Sequence, residues 1–241
     1  MTTEHTRASA ILAVSTVIFA LRKDDETGGL PQVWLPLVRR IREPFEGRWA
    51  LPGGPLRGDE DLAFAAARTL NDTTGLTPRY LEQLYAFGDT SRSPAGDRVV
   101  SIVYWALVRS DEAERASVGE NVRWFPADDL PPLAFDHQLI VEYALWRLHT
   151  KMEYSRIAHA FLGERFTLAQ LREVHEAVLG RALDPANFRR TIEASGAVVA
   201  TDEYLTGTPH RPPRLYRYND SIDLADAGPL PRQQHPFGGE K

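Results

Sequence analysis

The stretch from Gly47 to Leu76, GRWALPGGPLRGDEDLAFAAARTLNDTTGL, constrains the fold more than any other. It reads as a strand end, a double-glycine turn, a short loop and a helix. Gly53 and Gly54 allow a sharp turn and a close approach to a ligand, and Pro52 and Pro55 stiffen it. Asp59 is the expected N-cap of the helix, with Glu60 and Asp61 suited to its positive end. Leu62, Ala65, Ala66 and Leu70 supply an apolar stripe and Gly75 the C-terminal stop.

This stretch resembles the Nudix box. That pattern is Gly, five residues, Glu, seven residues, then Arg-Glu-aliphatic-x-Glu-Glu-x-Gly-aliphatic. Gly54, Glu60, Arg68, Leu70, Gly75 and Leu76 fall on their marks, whereas Thr69, Asp72 and Thr73 occupy the places of the three later glutamates. In active members of the family those carboxylates hold divalent metal ions against a pyrophosphate. Mg2+ wants several charged oxygen ligands in near-octahedral order. Two neutral hydroxyls and one shortened carboxylate do not supply them, so Glu60 and Asp72 remain only weak metal candidates. The expectation is a chain that is not an enzyme and has no required cofactor. A slow residual pyrophosphatase, with another acid completing a loose site, stays open.

Composition sets outer bounds. The chain has 241 residues and no cysteine, which excludes disulfides and thiolate metal sites. The first residues lack a basic segment followed by a long apolar core, and no apolar run is long enough to span a membrane, so the expected location is the cytoplasm. Residues 1–150 carry 16 Lys and Arg against 21 Asp and Glu, and residues 151–225 carry 10 against 10. Any nucleic-acid face in the second part must therefore arise from local clustering.

The first part alternates strands and helices. Ile11–Leu21 reads as a buried strand, 23–31 as a loop and Val33–Arg40 as the next strand. Arg40, Arg42 and Arg48 cluster before the double-glycine turn, where guanidinium groups suit an anion as well as solvent. Tyr80–Asp89, Val99–Val108 and Asn121–Phe125 read as strands, with a turn over 91–98. Asp136 is the expected cap of a helix running to about His149, with Ile140, Tyr143, Ala144 and Leu148 inward. His137 reads as a surface or capping residue outside any site. The segment Leu130–His137 resembles a stretch of ADP-ribose-handling Nudix proteins.

Beyond residue 150 the pattern changes. Tyr154, Ile157, Ala158, Phe161 and Leu162 sit at helical spacing. Thr167 and Gln170 form a capping box before a helix with Leu168, Leu171, Val174 and Val178 on one stripe, ended by Gly180. Asp184-Pro185 opens a second helix that stops at Gly196. Val198–Ala200 and Leu215–Tyr218 then read as two strands around a loop. That order is the order of a winged helix-turn-helix. In it Asn187, Arg189 and Arg190 would face a major groove while Phe188 and Ile192 pack inside. Thr167 is a further candidate DNA contact, and His210, Arg211 and Arg214 of the wing suit phosphates or a minor groove. The competing interpretation is a helical appendage with a solvated arginine face.

Together the two parts resemble the Nudix-related transcriptional regulators of NAD metabolism, most clearly over Phe166–Gly196 and Arg211–Asn219. The resemblance implies an α+β chain: a Nudix α/β/α sandwich over residues 1–150, a winged helix-turn-helix over 151–225, and a disordered tail over 226–241. It implies a homodimer formed by the first unit, a near-palindromic double-stranded DNA operator and repression of NAD synthesis or salvage genes. It also implies ADP-ribose or a related nucleotide as effector, with Arg40, Arg48, Gly53, Gly54, Arg68 and Arg98 around its pyrophosphate. The alternative class is an ADP-ribose pyrophosphatase with an accessory winged helix.

Overall fold

The computed structural model describes residues 9–23, 31–77, 80–92, 98–116, 119–154, 157–207 and 212–219, without the side chains of 153 and 154. Most of the expected loop over 23–31, most of the turn over 91–98, the whole tail over 226–241, His210 and Arg211 lie outside the described residues.

Alternation in two strands builds the first unit. Strand β1 (Ile11–Arg22) pairs in parallel with β6 (Val99–Val108) over ten residues. Val17, Phe19 and Leu21 point to one face with Val103, Trp105 and Leu107, while Ile18 and Ala20 point to the other with Ala106 and Val108. Both faces are therefore apolar and each takes a helix, as a strand buried on both sides requires. Helix α1 (Leu62–Thr74) covers one face through Ala66 and Leu70, and helix α3 (His137–Tyr154) covers the other through Ile140, Ala144 and Leu148. Trp105 is fully buried, and the gain of about 2–3 kcal/mol from its apolar area is offset in part by an indole N–H with no partner among the described residues.

The remaining strands are antiparallel. β2 (Gln32–Arg39) pairs with β1 and carries β3 (Trp49–Ala50) and β7 (Val122–Pro126), while β5 (Tyr80–Phe87) pairs with β6. The double-glycine segment is itself a short strand, β4 (Gly53–Pro55), held on β1 with Gly53 opposite Ser15 and Gly54 opposite Val14. A short helix, α2 (Ser110–Glu114), follows β6.

Several local expectations are corrected. The cap of α1 is Asp61, whose carboxylate accepts the Phe64 N–H at 2.8 Å; Asp59 precedes it by two residues. Gly75 closes the helix in the left-handed region at φ 70°. Helix α3 does not stop near His149 but runs to Tyr154, through residue 150. The helical spacing that begins at Tyr154 resolves into the end of α3 and a separate 3-10 turn, Ile157–Phe161.

The second unit follows its sequence pattern closely. α4 (Leu168–Leu179) carries the Thr167–Gln170 capping box and ends at Gly180 with φ 65°. α5 (Pro185–Ala194) has Asp184 as N-cap and proline in its first turn. β8 (Val198–Tyr204) and β9 (Arg214–Tyr218) form the wing, and β8 extends four residues beyond the expected strand. Phe161, Phe166, Leu171, Val174 and Tyr216 join Met152 of α3 in one apolar cluster, so the two units share a continuous core.

Candidate functional site

Two clefts meet at Gly53. The narrower, about 330 Å³, runs between the arginine segment 39–42 and the α1 residues Arg68, Thr69, Asp72 and Thr73. The wider, about 500 Å³, lies over β1 and is bounded by Gly53, Gly54, Arg40, Glu43, Arg92, Phe135 and His137. Arg40, Leu51 and Gly53 belong to both. Each volume suits a small-molecule ligand.

The box residues show what the narrower cleft can do. Arg68 grips Glu60 with both ends of its fork, Nη2 to Oε1 at 2.8 Å and Nε to Oε2 at 2.9 Å. The Arg57 N–H adds a third bond to Oε1 at 3.0 Å. These bonds, the Arg68 pair first, hold the Glu60 carboxyl down at about 2. Its side chain is only 4% exposed, so both oxygens are engaged away from solvent. Asp72 is 62% exposed and touches Arg68 at 3.4 Å. Thr69 is buried, and the Thr73 hydroxyl donates back to the Thr69 carbonyl at 2.7 Å. Among the described residues no group of three or more His, Asp and Glu could hold a metal ion. This donor set does not fit a hard divalent cation, which needs several uncommitted oxygens.

The wider cleft has a cationic and aromatic rim. Arg40 lies over the Phe135 ring at 4.7 Å and donates to the Pro44 carbonyl at 2.8 Å. Phe45 and Phe135 meet edge to face at 4.9 Å. Both have positive φ, 67° and 55°, which bulky residues adopt only where the surroundings enforce it. Arg92 is nearly buried. It donates twice to Asp136, at 2.9 and 2.8 Å, and once to the Phe87 carbonyl at 2.9 Å. Asp136 stands directly before α3, where its carbonyl accepts the Ile140 N–H, and its carboxylate is held by an arginine 44 positions earlier.

His137 departs from its expected surface or capping place. It is 7% exposed and its Nδ1 accepts the Leu51 N–H at 2.9 Å. Burial, with Arg92 and Arg40 nearby and only Asp136 opposing, lowers its pKa to about 4. The ring is neutral near pH 7, and with Nδ1 accepting it carries its proton on Nε2.

Of the expected effector residues, Arg40, Gly53, Gly54 and Arg68 line the clefts. Arg48 and Arg98 line neither. Arg48 stacks on Phe45 at 5.6 Å, and Arg98 is exposed at the start of β6, where its carbonyl accepts the Ile11 N–H.

On the second unit Asn187, Arg189 and Arg190 are exposed on α5, and Phe188 and Ile192 are half-buried against the core. Arg190 donates to the Asn187 side chain at 2.6 Å. Arg189 donates to Glu193 at 3.2 Å, and the same carboxylate oxygen accepts the Tyr216 hydroxyl of the wing at 2.9 Å. Arg214 donates to the Thr201 carbonyl at 2.6 Å and faces Asp202 at 3.4 Å. Thr167, expected as a DNA contact, is 4% exposed, and its hydroxyl accepts the Gln170 N–H. In this arrangement it is a helix cap.

Comparison with known proteins accounts for both units. Residues 12–144 match the Nudix domain model, and residues 158–218 match the NrtR DNA-binding winged helix domain. The chain is 32% identical over 216 residues to the ADPR responsive transcriptional repressor NtrR of Acinetobacter baylyi, covering 87% of this chain and 82% of the relative. It is 34% identical over 112 residues to the ADP-ribose pyrophosphatase of Methanocaldococcus jannaschii, covering 46% of this chain and 66% of that one. The crystal structure of Shewanella oneidensis NrtR superposes with a TM-score of 0.73 at 34% identity, covering 87% of this chain and 94% of that chain. The same protein complexed with a 27mer DNA gives 0.70 at 35% identity, with 86% and 93% covered. A Nudix fold and a matching winged helix in one chain, aligned over most of its length with a repressor, place it: the chain belongs to the NrtR family of Nudix-related transcriptional regulators.

Proposed function

We propose that the chain is an ADP-ribose responsive transcriptional repressor of genes for NAD synthesis or salvage. It binds its effector without cleaving it. Residues 1–150 form the effector-binding and dimerisation unit and 151–225 the DNA-binding unit. The observation that carries the reading is the capture of Glu60 by Arg68, with hydroxyls at two of the other three acidic positions. A pyrophosphate approaching this cleft meets arginines and backbone, not a metal platform. Arg40, Gly53, Gly54 and Arg68 are the effector residues, with Arg92 and His137 added from the wider cleft.

Asn187, Arg189 and Arg190 read the operator, with the wing arginines on phosphates. A ligand that prefers one of two dimer arrangements changes the spacing of the two recognition helices. DNA fixes half-site spacing, so operator affinity then changes with it. An uncleaved effector persists as a signal.

The test is anisotropy titration of a duplex from upstream of the chain's own gene, with and without ADP-ribose, across salt concentrations. The expected result is salt-dependent binding that exceeds binding to a scrambled duplex and that ADP-ribose alters. The match to a pyrophosphatase favours a second reading, hydrolysis, over 46% of the chain. Rapid Mg2+-dependent turnover of ADP-ribose, abolished by Asp72→Ala, would favour it.

A further inference from the structure

We propose that the Arg172–Glu176 pair of α4 is a positioning device for the recognition helix, fixing α5 on its turn without touching DNA. The inference rests on the DNA-binding reading of α5 given above.

Glu176 is a carboxylate with 4% of its side chain exposed. Its Oε1 accepts from Arg172 Nη1 at 2.7 Å and from the Leu183 backbone N–H at 2.7 Å. Arg172 Nη1 also faces the Leu183 carbonyl at 3.4 Å. The pair thus brackets both backbone polar groups of one residue. That residue immediately precedes Asp184, the N-cap from which α5 starts.

A buried ion pair is weak evidence for stability, because desolvation consumes most of its attraction. What a short charge-assisted bond to the Leu183 N–H at 2.7 Å, backed by a longer one to its carbonyl at 3.4 Å, does provide is direction. Direction matters here because α5 has no buried residue among its ten. Its seating therefore depends on the half-buried Phe188 and Ile192 and on a few contacts along its length. Glu176 holds its start, the His175 ring meets Phe188 at 5.2 Å in its first half, and Tyr216 holds Glu193 near its end. Asn187 and Arg190, which lie in the turns that enter the groove, follow the first of these contacts most closely.

The test uses the full chain and two probes: a duplex from upstream of its own gene and a scrambled duplex of equal length. Glu176→Ala is expected to weaken the first about tenfold or more, the size of losing one well-made base contact. Binding to the scrambled duplex, the salt slope and ADP-ribose affinity stay unchanged, since no phosphate or effector contact is removed. Glu176→Gln keeps the acceptor for Leu183 and is expected to recover most of the loss. If Glu176→Ala does not fold, Arg172→Ala, from a guanidinium 25% exposed, is expected to give the same selective loss. Unchanged specific binding, equal loss on both duplexes, or no rescue by Gln overturns the proposal alone. A wild-type chain that does not distinguish the duplexes overturns the functional reading beneath it.

Discussion

The two glycines of β4 look alike in the sequence, where they read as a turn, but they are strand residues in different surroundings. A Cβ added at Gly53 would lie 2.8 Å from the Val14 carbonyl oxygen, 2.8 Å from Ser15 Oγ and 3.1 Å from Ser15 Cα. The hydroxyl can rotate away, but the other two atoms are backbone of β1, the strand on which β4 is paired. Gly53→Ala must therefore push β4 off β1. Overpacking of this kind costs about 1–3 kcal/mol. For a chain of this size that corresponds to a fall in melting temperature of roughly 2–12 °C. Gly54→Ala meets nothing within 4 Å among the described residues and is expected to change stability by no more than about 0.5 kcal/mol. Both variants are measured by differential scanning calorimetry, with ADP-ribose affinity by isothermal titration. Gly53→Ala should also weaken the ligand, because Gly53 borders both clefts. Equal melting temperatures for the two variants, or the larger loss at Gly54, would mean that β1 does not confine Gly53.

Three further predictions follow from the charges. Millimolar Mg2+ or Mn2+ should leave the melting temperature of the wild-type chain unchanged, because Arg68 already occupies Glu60; a rise of several degrees would reveal a metal site. His137 and His175 are both lowered to about 4 by burial, so unfolding takes up protons as pH falls below about 6.5. Stability should be complete above that pH and decline toward pH 4, by up to about 1.4 kcal/mol per pH unit for each histidine, and His175→Phe should lessen the slope in melting temperature against pH. Arg190→Ala should cost operator affinity about 1–3 kcal/mol and relax base preference, whereas Arg214→Ala should weaken all duplexes alike, both read by competition anisotropy.

What was legible in the sequence was what local chemistry decides. The Thr167–Gln170 box, the Asp184-Pro185 start and the left-handed stops at Gly75 and Gly180 depend on neighbours within a few residues, and each stands where the spacing put it. The Nudix spacing was legible for the same reason. The wider cleft was not. Its Arg92–Asp136 pair joins residues 44 apart, and the Leu51–His137 bond joins residues 86 apart. No local pattern announces either one. Asp136 was legible as the residue before α3, but the arginine that holds its carboxylate was not. Asp59, two residues from the true cap, shows how little separates three acids in a row until the backbone turns. Arg48 stood in the arginine cluster before the double glycine, but its guanidinium stacks on Phe45 rather than lining either cleft, a choice made by the fold of the loop.

Binding without cleavage is what separates a repressor from a hydrolase on this scaffold. One sample decides it: the chain on its upstream duplex, in Mg2+, titrated with ADP-ribose while anisotropy reports the DNA and chromatography reports AMP. Operator binding is expected to change over the titration while AMP stays at the protein-free rate. AMP released over many turnovers, with no change in the DNA signal, would contradict it.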